Sequence, residues 1–176
     1  MKPAKIEKLI SSDSIAVQVS NMANRIAKTM PSDLMIVVLL RGSFMFAADL
    51  VRALHAVGMH PQIDFLTVAS YGSGKESSGK VEVVRDLTES MSGRDVLIID
   101  DILDSGRTLQ FVTSLIRERG AKTVKTAVLL EKPDKRAVAI QADFVGFTVP
   151  DKFVVGYGLD HANFYRELPY IGAIIN

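Results

Sequence analysis

Cysteine is absent from the 176 residues of this sequence. A chain without cysteine has no disulfide framework, no cysteine-ligated zinc or iron–sulfur cluster, and no thiol nucleophile. The composition is compatible with a reducing compartment, and we expect a cytoplasmic protein.

An excess of charge of one sign is also lacking, because 21 basic and 20 acidic residues leave a formal net charge of +1. Such a balanced chain has no overall electrostatic field for a nucleic-acid backbone or an anionic membrane. We therefore expect no nucleic-acid partner, and any anion site must be built from locally placed groups.

Long hydrophobic runs are missing as well. The longest purely apolar run, Leu34–Leu40, is far shorter than the roughly 18 to 20 residues that a membrane span needs. The first eight residues include an acid and lead into no apolar segment, so we expect no secretory signal. The sequence predicts no membrane partner.

Helical and strand patterns alternate along the first half of the chain. Apolar residues three and four apart predict a helix that has Ser12 or Asp13 as its N-cap and is stopped by Pro31. The apolar run at 34–40 is typical of a strand buried on both faces. Helical spacing returns at 44–56, and 63–69 has the pattern of another strand.

A second strand–helix–strand unit follows, with strands at 96–99 and 124–130 and a helix at 108–119 that has Gly120 as its C-cap. Short strands at 144–147 and 153–157 are expected to form a small flap rather than to extend the sheet. This alternation predicts a single α/β domain over 1–176, with a mainly parallel twisted sheet flanked by helices. Ligands of such folds bind beyond the carboxyl ends of the strands.

Residues 70–80 contain three glycines, four serines and no aliphatic residue, which predicts a long loop. Loops of this length in compact domains are more often lids than filler. Composition alone does not separate a lid from a disordered loop without function.

The residues that carry chemistry follow the best predicted strand, in the segment 100–108. Ser105, Gly106 and Thr108 precede a helix, where free backbone N–H groups and the helix dipole can bind one phosphate. Asp100 and Asp101 offer acceptors for paired ribose hydroxyls and ligands for Mg²⁺. Together these groups suggest a site for a ribose 5-phosphate, although acids after a strand can also merely solvate a surface turn.

The whole segment resembles the 5-phosphoribosyl-1-pyrophosphate (PRPP) motif of type I phosphoribosyltransferases: four apolar residues, two acids, two apolar residues, Asp, a hydroxyl residue, Gly, any residue and Thr. Asp100 stands where purine enzymes often have Glu, and Ser105 where Thr is commoner. Further blocks at 39–43, 69–74, 129–132 and 150–160 follow in the order seen in hypoxanthine(-guanine) phosphoribosyltransferases. The resemblance covers almost the whole chain.

This resemblance implies a type I phosphoribosyltransferase fold with a small hood, formed mainly by about 144–176 with the N-terminal residues. It implies a pyrophosphate loop at Arg41 and Gly42 that contains a non-proline cis peptide. Ser70 and Tyr71 would begin a flexible loop that closes over the reacting centre and excludes water. The implied PRPP-binding residues are Arg41, Gly42, Asp100, Asp101, Asp104, Ser105, Gly106, Arg107, Thr108 and Arg166.

The resemblance also assigns the purine site and the metal. Lys132 would donate to O6 of the base, Phe153 would stack on the ring, and Val154 would supply backbone contacts. Asp104 would be the catalytic residue that accepts the N7 proton. The Mg²⁺ cofactor would be held by Asp100, Asp101 and Asp160.

The reaction so implied joins hypoxanthine, and also guanine, to PRPP and gives IMP or GMP and pyrophosphate. The family usually forms homodimers or homotetramers. The histidines, His55, His60 and His161, show no ligand spacing and receive no role.

Other functions compete with this interpretation. A regulatory, RNA-binding protein of phosphoribosyltransferase fold would share the acid and phosphate segment, but the 132 and 153–160 blocks and the lack of a basic stripe argue against it. A phospho-receiver domain carries its acid pair on the first strand, whereas here the pair lies past mid-chain. A P-loop kinase is excluded because no Gly-x-x-x-x-Gly-Lys-Ser/Thr motif is present.

Overall fold

Two sheets organise the chain in a computed structural model that describes residues 5–71 and 80–175. In chain order the elements are β1 (Lys5–Ile10), α1 (Ser12–Ala27), β2 (Met35–Leu40), α2 (Phe44–Ala56), β3 (Gln62–Tyr71), β4 (Lys80–Arg85), β5 (Asp95–Leu103), α3 (Arg107–Glu118), β6 (Thr123–Glu131), a 3₁₀ turn (Pro133–Lys135), β7 (Phe144–Thr148), β8 (Val154–Val155) and β9 (Ile171–Ile175).

The large sheet has the order β4-β3-β2-β5-β6-β7, and all its neighbours are parallel except the antiparallel pair β3 and β4. This is the predicted α/β fold with a mainly parallel sheet. Its strands are apolar on both faces, so successive residues enter two different cores. Ile36 and Val38 pack with α1 and α2, whereas Met35 and Val37 pack with α3 on the other face.

The small sheet has the order β1-β9-β8 and is antiparallel. We call this sheet, together with the segment 156–170 between β8 and β9, the hood. The hood packs on α2, because the hydroxyl of the buried Tyr157 donates to the carboxylate of Asp49. Burial and this carboxylate together raise the pKa of Tyr157, so the hydroxyl stays a donor.

The strand at 144–147 was expected to belong to a small flap, and this prediction is wrong. It is β7, the edge strand of the large sheet, and it runs parallel to β6. Phe144 is buried in the core, and a Cβ on Gly146 would lie 2.5 Å from the carbonyl oxygen of Leu129. The missing side chain therefore permits the close strand contact that adds β7 to the sheet.

Several predicted boundaries also need correction. The N-cap of α1 is Ser11, not Ser12 or Asp13, because the Ser11 hydroxyl accepts from the Ser14 N–H at 3.1 Å. That helix ends at Ala27, before Pro31 is reached.

β5 continues past Ile99 to Leu103, because β6 supplies partners that far. The acids Asp100 and Asp101 therefore lie within a strand and not after it.

The predicted loop at 70–80 is shorter than its composition suggested. Ser70 and Tyr71 belong to β3, and Lys80 to β4, because the two strands pair up to Tyr71 and Lys80. Residues 72–79, which carry most of the predicted closing loop, lie outside the described residues. Within the described ranges, no helix is long and apolar enough to cross a membrane.

Tyr157→Phe is expected to lower the free energy of unfolding by about 1 kcal/mol, because it removes the hydrogen bond between the hood and α2. The loss stays small because Asp49 keeps its ion pair with Arg52. Urea denaturation measures it. Tyr170→Phe is the matched control, since Phe keeps the ring over which the Lys8 ammonium lies. Equal stabilities of the two variants would contradict the expectation.

Candidate functional site

A cavity of about 300 Å³ lies at the carboxyl ends of β2 and β5. The fold puts it there because parallel strands end at one edge of the sheet, and the connections to α2 and α3 both start from that edge. Among the residues singled out from the sequence, the cavity brings together Arg41, Gly42, Asp100, Asp101, Asp104, Ser105, Gly106 and Thr108. These residues come from two segments far apart in the chain.

The turn at 104–108, which we call the phosphate loop, leads from β5 into α3. Gly106 is the N-cap residue of α3 and has a φ of +85°, a left-handed conformation that favours glycine. A Cβ there would also lie 2.6 Å from Ile140. The first-turn N–H groups of a helix have no acceptor within the helix and carry a partial positive charge. The turn can therefore bind a phosphate.

Asp100 and Asp101, the acid pair, lie side by side near the end of β5. The Asp101 N–H donates to Asp100 Oδ1 at 3.0 Å, and the Ile102 N–H donates to Asp101 Oδ1 at 2.8 Å. Burial raises the pKa of Asp100 well above its usual range, and the charge of Asp101 raises it further. Burial also raises the pKa of Asp101. Such a pair favours a bound cation or hydroxyl donors.

The predicted pyrophosphate loop contains a cis peptide bond between Leu40 and Arg41. Gly42 follows, and a Cβ at this position would overlap the carboxylate of Asp101. On the hood side, a Cβ on Gly158 would overlap the carbonyl oxygen of Gly42. Gly42 is therefore enclosed between the acid pair and the hood. A side chain at Gly42 would displace the Asp101 carboxylate, and a side chain at Gly158 would displace Gly42.

Asp160 and Arg166 lie in the hood and form an ion pair at 2.7 Å. Arg166 also donates to the Gly158 carbonyl at 2.6 Å, and its charge acts on Asp101 in the direction that lowers the pKa. The other oxygen of Asp160 accepts from the Asn163 N–H at 2.7 Å. Neither residue lines the cavity. Within 5–71 and 80–175, no three acids or histidines are placed to hold a metal ion together.

The residues predicted to bind a purine are not part of the cavity lining. Lys132 follows β6 and is only 8% exposed, and its ammonium has no hydrogen bond or ion pair with a described residue. Phe153 is 55% exposed, and its ring lies nearly perpendicular to that of His161, with the ring centroids 5.2 Å apart. Val154 is buried in β8, paired with Ala173. Arg107 begins α3 outside the lining.

Sequence reasoning missed residues that support the site from a distance. Arg136 donates to main-chain carbonyls of the phosphate loop region, and Lys135 pairs with Asp151 at 3.0 Å beside the predicted purine residues. Tyr157 and Asp49 join the hood to α2. No sequence motif marks any of these side chains as part of the site. Lys135 and Arg136 could have been found only from their position within four residues of Lys132.

Comparison with known proteins finds relatives whose names all point to phosphoribosyltransferases. A family model described as a phosphoribosyl transferase domain matches residues 10–162. The hypoxanthine phosphoribosyltransferase of Escherichia coli is 43% identical over 173 residues, which are 97% of this chain and 96% of that protein. The bifunctional protein TilS/HprT of Listeria innocua is 47% identical over 167 residues, 94% of this chain, but the chain spans only 25% of that protein's length.

A crystal structure of a hypoxanthine-guanine phosphoribosyltransferase from Bacillus anthracis superposes with a TM-score of 0.91 at 37% identity. The superposition covers 98% of this chain and 100% of that chain. The similarity therefore extends over the cavity and the hood alike.

Asp100→Asn is expected to raise the free energy of unfolding of the ligand-free protein at pH 8, because it removes one of two buried charges. A carboxyl whose pKa is raised by folding stabilises the fold below the unfolded pKa, near 3.8, and that stability is lost as the pH rises through the folded pKa. The expected gain is roughly 1.4 kcal/mol for each unit by which the pKa is raised, and it should vanish at acidic pH. Urea denaturation at both pH values tests it.

Asp95→Asn is the control, because its expected change in stability at pH 8 has the opposite sign. A hydrogen bond from Thr123 lowers the pKa of Asp95, so removing this charge should lower the stability at pH 8. An Asp100→Asn protein no more stable than wild type at pH 8 would show that the acid pair carries no repulsive strain.

Proposed function

The chain belongs to the phosphoribosyltransferase family, and we propose that it transfers the 5-phosphoribosyl group of PRPP to N9 of hypoxanthine, and of guanine, with release of pyrophosphate. The products are IMP and GMP, so the enzyme acts in purine salvage as a hypoxanthine phosphoribosyltransferase. The relatives that bear this name cover nearly the whole chain, and the hood is part of the similarity.

One observation carries the proposal: a single cavity joins the acid pair, the phosphate loop and the Arg41–Gly42 loop. These are groups for the ribose hydroxyls, the 5-phosphate and the pyrophosphate of one PRPP molecule. The C1′–O bond breaks toward an oxocarbenium-like state, so the protein must neutralise the departing pyrophosphate and hold the base in line. Arg41, which lines the cavity, would perform the first of these tasks.

Asp104 is the proposed base. Its carboxylate is exposed at the start of the phosphate loop, in the lining of the cavity, where a purine N7 can reach it. It would accept the proton that the purine loses as N9 attacks C1′. Ser105, Gly106, Arg107 and Thr108 follow in the same turn and would bind the 5-phosphate, while Arg166 would face the pyrophosphate from the hood.

Mg²⁺ fits the donor set, because Asp100 and Asp101 offer hard carboxylate oxygens side by side, and burial, which raises the pKa of both, makes a cation beside them favourable. Asp100 and Asp101 would hold it, with Asp160 as a second contact. The bound ion would offset the negative charge of the pyrophosphate group. The remaining ligands would have to be oxygens of PRPP and water, since the described protein groups alone do not complete a metal site.

Base recognition is assigned to Lys132, Phe153 and Val154. The Lys132 ammonium can only donate, so it favours a purine with a carbonyl at position 6 over adenine, which presents an amino donor there. The exposed face of Phe153 is available for stacking. Ser70 and Tyr71 would lead into the loop that covers the reacting centre.

We further propose a cytoplasmic enzyme that acts as a homodimer or homotetramer. Large apolar side chains are partly exposed on α2 and β3, namely Phe44, Ile63 and Phe65. A second copy of the chain would remove this surface from water.

A regulatory RNA-binding role is not favoured, because the relatives that span the chain are named as enzymes.

Nucleotide formation from PRPP and Mg²⁺, with hypoxanthine, guanine, xanthine, adenine and uracil offered separately, tests the function. We expect product with hypoxanthine and guanine and none with adenine or uracil. A folded protein that binds PRPP but makes no nucleotide with any base would overturn the proposal and direct attention to RNA binding.

Asp104→Asn is expected to preserve PRPP binding and to lower turnover by roughly 10²-fold or more, because the amide cannot accept the purine proton. Calorimetric titration with PRPP and steady-state kinetics measure the two effects. Asp134→Asn, in the exposed 3₁₀ turn, is the control and should keep wild-type turnover. Near-normal turnover of Asp104→Asn would refute the base role.

Lys132→Gln is expected to weaken discrimination against adenine, because the glutamine amide can accept as well as donate a hydrogen bond. The ratio of kcat/KM for hypoxanthine to that for adenine should fall by about tenfold or more. Lys122→Gln, an exposed lysine far from the cavity, should leave the ratio unchanged. If the ratio were unaltered in both variants, Lys132 would have no role in selecting the base.

A further inference from the structure

The guanidinium of Arg136 connects two parts of the site through main-chain carbonyls. Its Nη1 donates to the carbonyl oxygens of Leu103 at 2.5 Å and Asp104 at 2.6 Å, and reaches that of Lys132 at 3.5 Å. The side chain is only 19% exposed. We propose that Arg136 is a positioning residue that fixes the phosphate loop and the purine-binding lysine relative to each other.

A second set of contacts holds Arg136 itself in place. Its Nη2 donates to Glu131 Oε2 at 3.2 Å, and Glu131 Oε1 accepts from the Thr148 hydroxyl at 3.0 Å. Glu131 and Thr148 are the register partners at the ends of β6 and β7. The guanidinium is therefore anchored to two strands of the large sheet, and its orientation is set before any ligand binds.

These contacts fix the directions of the backbone carbonyl and N–H groups in the phosphate loop. The carbonyls of Leu103 and Asp104 point to Arg136, and that of Ser105 accepts from the Ala137 N–H at 2.9 Å. In a trans peptide the N–H lies opposite the C=O. The N–H groups that follow these carbonyls are consequently turned away from Arg136, and the residues that carry them line the cavity.

The same carbonyls join the loop to the base side. The Lys132 N–H also donates to the Leu103 carbonyl, at 3.0 Å. The segment 132–140, which we call the platform, lies against the loop, because a Cβ on Gly106 would be 3.0 Å from Val138 and 3.7 Å from Arg136 Cδ. Arg136 is the side chain of the platform that reaches Leu103, Asp104 and Lys132 at once.

An arginine suits this role because its planar fork carries five donors in fixed directions, whereas lysine offers a point charge and glutamine two donors. The inference rests on the proposed function, in which a phosphoribosyl group and a purine must meet in line. A small displacement of one substrate relative to the other slows such a reaction far more than it weakens either binding step. The loss of Arg136 should therefore appear in kcat.

The test compares Arg136→Gln and Arg136→Lys with Arg119→Gln. Arg119 makes a bidentate ion pair with Asp86, at 2.7 and 2.8 Å, at the far end of α3. It matches Arg136 as an anchored arginine but does not contact the site. Urea denaturation curves first establish a temperature at which each protein is folded in the absence of urea, and the kinetic assays are done at that temperature.

We expect Arg136→Gln to lower kcat about tenfold or more and to raise the KM for PRPP by a smaller factor. Arg136→Lys should recover part of kcat, since one or two hydrogen bonds can re-form. Arg119→Gln should lose stability while its kcat and KM stay within about twofold of wild type. Should Arg136→Gln fail to fold, Thr148→Val, which frees only Glu131, should still lower kcat about two- to threefold.

Wild-type kinetics in folded Arg136→Gln, or in Thr148→Val where the first variant does not fold, would overturn the positioning role and leave the proposed function intact. Absence of nucleotide formation in the wild-type enzyme would instead overturn the proposed function. In that case, calorimetric titration with PRPP decides the matter for Arg136. Weaker binding by Arg136→Gln than by Arg119→Gln supports the role, and equal binding refutes it.

Discussion

Two carboxylates buried side by side are the constraint around which the site is arranged. Asp100 and Asp101 lie in a strand of the central sheet, where burial disfavours ionisation of both carboxyls and the charge of Asp101 disfavours ionisation of Asp100 further. A fold that evolved for stability alone would place apolar residues there, as it does at the preceding positions of β5. The surrounding geometry serves this pair, because Gly42 makes room for one carboxylate and Arg166 supplies a nearby positive charge.

Rigidity in the site comes from the main chain. The phosphate loop is held from behind by the platform, through hydrogen bonds to three successive carbonyls. Such a loop can bind an anion with little reorganisation, because its donors are already oriented. The hood is attached through the hydrogen bond of Tyr157 to Asp49, the close approach of Gly158 to Gly42, and apolar side chains buried in the same core as α1 and α2.

The sequence could predict those parts of the fold and site that are encoded locally. α2 was found with its bounds, and the segment 100–108 was identified because its residues are consecutive and their types match one ligand. β7 was misassigned because its place in the sheet depends on β6 and not on its own pattern. Arg136 was missed for a similar reason, since its function lies in carbonyls that precede it by more than thirty residues.

The facing glycines at 42 and 158 limit how this architecture can be re-engineered. Val154 of the hood and the adjacent Phe153 are assigned to the base, so a change of substrate would be sought by exchanging hood segments between enzymes. A transplanted segment must present a bare backbone opposite the Gly42 carbonyl, and Gly158 already has the φ of +101° that such a residue needs. Otherwise the graft would push the loop at Arg41 and Gly42 toward the carboxylate of Asp101. The proposed sites for the base and for the leaving group would thus be inherited together.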